Sequence, residues 1–140
     1  MKQTQTTRWL GNMAFEAEVS GHKLILDADE AVGGTNKGPR PKALMMTALA
    51  GCTGMDVVSL LKKMRIDVDD FQIHIHSETT EEHPKQYSSM HIVYEFTGAN
   101  LEEEKLRKII ELSQDKYCGV SASYKKAFSV SYEIKINNKA

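Results

Sequence analysis

Cysteine, proline and tryptophan are all scarce in this chain, and neither sign of charge is in excess. Only two cysteines, three prolines and one tryptophan occur among 140 residues. The first residues, MKQTQTTRWLGN, hold no apolar h-region, so no secretory signal is read there and a cytoplasmic location is the expectation. Two thiols in such a chain argue against a disulfide-stapled fold and leave metal binding, redox chemistry or plain packing. Eighteen basic and nineteen acidic residues give a formal net charge of -1. The basic footprint of a nucleic-acid binder is therefore missing. No G-x-G-x-x-G, P-loop, G-x-S-x-G or C-x-x-C pattern occurs. Dinucleotide, phosphate, serine-hydrolase and thioredoxin-type readings thus lack support. The longest apolar segment is interrupted by Thr47, Gly51, Thr53, Gly54 and Asp56, so no membrane span is expected from it.

That segment, residues 41 to 64, PKALMMTALAGCTGMDVVSLLKKM, organises the rest. Pro41 suits a first helical turn, where a missing N–H costs nothing. Apolar residues then fall on nearly every side until Lys62 and Lys63. A helix on the surface of a small domain shows one apolar stripe, so this one needs cover on both sides. Gly51 and Gly54 each weaken a helix by roughly 0.5 to 1 kcal/mol relative to Ala, which points to close approach by another element.

Elsewhere, Met13, Phe15, Ala17 and Val19 alternate with smaller or polar residues, Ser20-Gly21 marks a turn, and residues 22 to 28 form a returning strand. Residues 29 to 41 carry loop chemistry. Phe71, Ile73 and Ile75, then Met90, Ile92, Tyr94 and Phe96, alternate around a polar connection as a second hairpin. Asn100 is the expected N-cap of an amphipathic helix striped by Leu101, Leu106, Ile109, Ile110 and Leu112 and ending near Tyr117. VSASYKKA is read as a short helical turn, and Phe128 to Ile136 as a final strand. This order predicts one α+β domain over residues 1 to 140, with antiparallel strand pairing. A single small sheet covers one side of the long helix. Its other side is expected to meet a second copy in a two-fold homodimer.

Cys52 lies mid-helix between glycines, and Cys118 lies just after the second helix. Both fit two readings: small buried hydrophobes, or redox thiols that need a nearby cation or hydrogen-bond donor to favour the thiolate. No cation adjoins Cys52 in sequence; Arg8, Arg40 and Lys42 are the candidates to reach it through folding or from a partner. His74, His76 and His91 invite a metal reading, but their alternation with Phe71, Ile73 and Ile75 marks a solvated strand face. Neither a metal nor another cofactor is expected.

The segments GPRPKALMMTALAGCTGMDVVSLLKK and YCGVSAS resemble the OsmC/Ohr family, the osmotically inducible and organic-hydroperoxide-resistance proteins. That resemblance implies an OsmC-like fold, an intertwined homodimer and thiol-dependent reduction of organic hydroperoxides. Cys52 would be the peroxidatic thiol and Cys118 the resolving thiol, with a dithiol reductant resetting the pair. The peroxidase members place an Arg in the first hairpin and a Glu after the helix-opening Pro, whereas here residues 9 to 39 hold no Arg and Lys42 follows Pro41. The alternative is a non-catalytic binding protein holding a hydrophobic small molecule at the dimer interface.

Overall fold

The computed structural model describes residues 1–139. It resolves into two compact units, residues 1–45 and a second unit from residue 46 onward. The first is an antiparallel meander of β1 (Thr6–Gly11), β2 (Ala14–Val19) and β3 (His22–Leu26). Two tight turns connect the strands, with Asn12 at φ 46° and Ser20 and Gly21 at φ 51° and 80°. A Ser-Gly pair with both φ values positive has the twist that a two-residue hairpin needs. β2 and β3 match the sequence expectation. β1 was not expected, because TTRWLG shows no apolar alternation for its period to be read.

Asp27 organises the loop that follows. Its carboxylate accepts from the backbone N–H groups of Ala28 at 2.7 Å, Thr35 at 3.3 Å and Lys37 at 3.1 Å, and from the Thr35 hydroxyl at 2.9 Å. The Lys37 and Ala28 amides lead in drawing its pKa down to about 2, since donors aimed at a carboxylate favour its charged form. Its folded pKa therefore lies below the unfolded value. The stability it contributes is present above about pH 4 and is lost as pH falls through about 2. In an NMR titration the Lys37 and Ala28 amides are expected to move with a midpoint near pH 2, and a midpoint at the ordinary Asp value would refute this.

The second unit takes in nearly all of α1 (Leu44–Lys63), followed by β4 (Asp70–Thr79), β5 (Tyr87–Gly98), α2 (Glu103–Leu112), a π-helical turn (Ser113–Tyr117), α3 (Gly119–Lys125) and β6 (Ser129–Asn138). Pro41 to Ala43 form a turn ahead of α1, with Leu44 N–H bonded to Pro41 O, so the helix starts three residues later than expected. Asn100 is not a helix cap. It takes φ 56°, turning the chain out of β5, and α2 begins after Glu102 without a side-chain cap.

The sheet runs β4-β5-β6. β4 and β5 form the expected antiparallel hairpin, but β6 lies parallel to β5, which corrects the expectation of antiparallel pairing throughout. The reason is the helical crossover: α2, the π-helical turn and α3 carry the chain back to the starting end of β5, so the next strand repeats its direction. One sheet face carries Met90, Ile92, Tyr94 and Phe96, all fully buried, together with Leu106, Ile109 and Ile110 of α2. The other face is polar. There His74 meets Glu95 at 2.8 Å, and His91 meets Ser131 at 2.8 Å and Glu133 at 3.2 Å. This is the solvated histidine face expected from the alternation, and no cluster of three or more metal-ligating side chains forms among the described residues.

Candidate functional site

Along α1, Leu49, Thr53, Val57 and Leu61 recur every fourth residue and are buried. This i, i+4 stripe faces the sheet, and the opposite side stays open, with Met55 76% and Val58 54% exposed. By length and composition α1 is apolar enough to cross a bilayer. Its polar residues Thr53 and Asp56, however, are committed to partners inside this unit. The open side forms a groove of about 620 Å³ between α1 and β4, lined among others by Gly51, Gly54, Met55, Val58, Phe71 and Ile73. The expected close approach beside Cys52 occurs at Gly54, where an added Cβ would stand 2.9 Å from Ile73 Cδ1. At Gly51 nothing lies within 4 Å, so that glycine faces open space.

Cys52 is half-buried on α1 and Cys118 is buried immediately before α3; both are free thiols. The fold brings them close enough that Cys52 acts on the Cys118 thiol. The Cys118 sulfur also accepts from the Ser121 backbone N–H at 3.3 Å. Burial is the main influence on Cys118 and pushes its pKa up to about 11; the Ser121 amide opposes this, while the Cys52 contact and the charges of Cys52 and Asp56 add to it. A thiol so placed is a poor nucleophile at neutral pH. At pH 8 about one molecule in a thousand carries the thiolate, against roughly a quarter for a free cysteine. Iodoacetamide is therefore expected to label Cys118 at least ~100-fold more slowly than free cysteine, read by peptide mass spectrometry; equal rates would refute the placement.

Two of the three cations proposed for Cys52, Arg8 and Arg40, hold partners within the first unit. Arg8 pairs with Glu16 at 3.4 Å. Arg40 binds Asn36 Oδ1 at 2.7 Å, Gly38 O at 3.0 Å and Asp29 at 3.4 Å.

Beside the sulfurs lies a polar network that sequence reasoning missed. Thr53 Oγ1 bonds Tyr94 OH at 2.7 Å and Ser113 Oγ at 2.8 Å. The Ser113 hydroxyl donates to Asp56 at 2.9 Å. Gln114 Nε2 donates to Tyr94 OH at 2.8 Å and, more weakly, to Thr53 Oγ1 at 3.4 Å, while its Oε1 accepts from Ser121 Oγ at 2.6 Å. Among the described residues no buried side-chain nitrogen or oxygen lacks a partner. Burial also lifts the Tyr94 phenol to about 12, against the opposing pull of its bonds to Thr53 and Gln114, so it stays protonated. The signal available in the sequence was Thr53 and Asp56 within an otherwise apolar helix. They register there as interruptions because their partners lie forty to sixty residues away.

A family profile described as OsmC-like protein matches residues 34–133. Protein YhfA of Escherichia coli K12 is 32% identical over 130 residues, covering 91% of this chain and 94% of that protein. A hypothetical protein from Aquifex aeolicus VF5 is similar in structure, with a TM-score of 0.81 and 29% identity over 98% of each chain. The organic hydroperoxide resistance protein OhrB of Bacillus subtilis shares the fold, with a TM-score of 0.66 at 17% identity over 96% of this chain and 98% of that one.

Proposed function

Because the chain belongs to the OsmC-like protein family, we propose that it is a thiol-dependent, peroxidase-like protein that reduces organic hydroperoxides through Cys52 and Cys118. The observation that carries this reading is the meeting of the chain's two thiols, one half-exposed and one buried, at a contact between distant segments. Accessibility divides the roles. Cys52 meets the peroxide, and Cys118, shielded and protonated, waits to resolve.

The Cys52 thiolate attacks one peroxide oxygen, the O–O bond breaks, and the alcohol departs with a proton, leaving Cys52 as a sulfenic acid. The Cys118 sulfur then bonds to the Cys52 sulfur. The sulfenic hydroxide leaves with the Cys118 proton as water, and a disulfide remains. A dithiol reductant returns two electrons and two protons by thiol–disulfide exchange. A cytoplasmic location suits this cycle, because the resting thiols are kept reduced there.

The active form in this proposal is a homodimer, with a second copy seated on the groove over Met55 and Val58. An exposed apolar stripe along α1 supports it, since such surface is costly to leave in water. The test is consumption of cumene hydroperoxide with a dithiol reductant, alongside sedimentation of the same preparation. Turnover, a Cys52–Cys118 disulfide after mild oxidation and a dimeric mass are expected. Absence of turnover together with a co-purified hydrophobic molecule in the groove would favour the binding-protein alternative instead.

A further inference from the structure

Gln114 sits between the two cysteine-bearing segments and is joined to both. On one side its Nε2 reaches Thr53 Oγ1, one residue after Cys52, and Tyr94 OH, which itself bonds Thr53. On the other side its Oε1 holds the Ser121 hydroxyl at 2.6 Å, and the backbone N–H of that same Ser121 points at the Cys118 sulfur. Its backbone carbonyl receives Lys125 Nζ at 3.0 Å. The π-helical turn that carries Gln114 closes where Cys118 N–H meets Ser113 O at 2.7 Å. The side chain is buried, at 6% exposure. π-helical turns insert an extra residue and are found at functional sites far more often than their rarity would give.

We propose that Gln114 is a positioning residue that holds the Cys52 and Cys118 sulfurs in register for disulfide formation; this rests on the redox reading above. A disulfide needs its Cβ atoms about 3.5 to 4.5 Å apart and a dihedral near 90°, and misplacement strains the bond or keeps it from closing. Gln114 is suited to the task because an amide donates and accepts at once. It reaches the hydroxyl beside one sulfur through its nitrogen and the hydroxyl beside the other through its oxygen, whereas a hydroxyl must donate and accept through a single atom and an ionised carboxylate only accepts. A buried amide whose only role was to fill space would be replaced by methionine with little effect on how α1 and α3 face each other.

The experiment measures the equilibrium between dithiol and disulfide forms of the full-length protein in glutathione or dithiothreitol redox buffers, with thermal unfolding of the reduced form as control. Gln114→Met keeps the length of the side chain and loses its bonds. It is expected to lower the equilibrium constant for the Cys52–Cys118 disulfide by about tenfold, an upward shift of about 30 mV for a two-electron couple. Ser121→Ala, which removes one hydroxyl and hardly any volume, gives a second measure should the first variant fail to fold. Thr53→Ser keeps its hydroxyl and is expected to match the wild type, while Thr53→Val follows Gln114→Met. Equilibrium constants within twofold of wild type for folded Gln114→Met, Ser121→Ala and Thr53→Val overturn the positioning role and leave the redox reading standing. A wild-type protein that forms no Cys52–Cys118 disulfide in any buffer overturns both.

Discussion

Cys52→Ser is expected to reduce hydroperoxide consumption to the uncatalysed background, a loss of roughly 10³-fold or more, as removal of a nucleophile does in other enzymes. Serine fills the site with one smaller atom, so folding is little affected, but a hydroxyl does not ionise near neutral pH and is not oxidised by a peroxide. Cys118→Ser has a different signature. Cys52 still takes the oxygen, so one equivalent of peroxide is consumed quickly and the sulfenic acid persists, where dimedone traps it. Turnover then stalls, because the buried thiol that would displace the hydroxide is gone. The asymmetry follows from exposure: Cys52 is half-buried, whereas Cys118 is 3% exposed with its pKa lifted to about 11. Equal residual turnover in the two variants would argue against the division of roles.

Phe96→Ala is the most damaging single change expected for the fold. Phe96 is fully buried on β5, the strand paired on both sides, and its ring stacks on Phe71 at 4.6 Å between centroids with 5° between planes. Deleting it removes the ring and leaves a cavity under strands that cannot collapse freely, at a cost of about 3 to 5 kcal/mol. Domains of this kind are stable by about 5 to 15 kcal/mol, so a large share of the total is at stake. The shift is read from the denaturant midpoint. Phe96→Leu keeps most of the volume and is expected to cost about 1.5 kcal/mol or less; equal losses from the two variants would show that ring packing is not what Phe96 supplies. Phe71 also stacks against Tyr94 at 6.4 Å, so Phe96→Ala is expected to loosen the phenol that anchors Thr53 and Gln114.

The parts of this architecture legible in the sequence are those governed by local period. The two hairpins and α2 follow from apolar spacing, and so does the histidine face of the sheet; α1 follows instead from the length of its apolar run and its flanks. The contact between Cys52 and Cys118 followed from family resemblance, since nothing in the spacing of two isolated thiols fixes their distance. The parallel placement of β6 was not legible because Val130, Tyr132, Ile134 and Ile136 alternate identically whichever way the strand runs. The role of Asn100 was misread for a related reason: asparagine suits both an N-cap and a left-handed turn, and here the turn wins. Gln114 carried no signal, because its meaning depends on three partners from three different elements.

The second thiol lies within the crossover between β5 and β6, where Ser89 of one strand stands opposite Ser129 of the other. Closing so long a connection costs conformational entropy before any strand contact offsets it, so this pairing is expected to be a slow step in folding. Cys118 is accordingly expected to meet Cys52 late, once the crossover that carries it has returned to the sheet. On the proposed redox reading the thiol pair would report on folding: a chain clipped ahead of its final strand is expected to form the Cys52–Cys118 disulfide poorly, measured by mass spectrometry after mild oxidation.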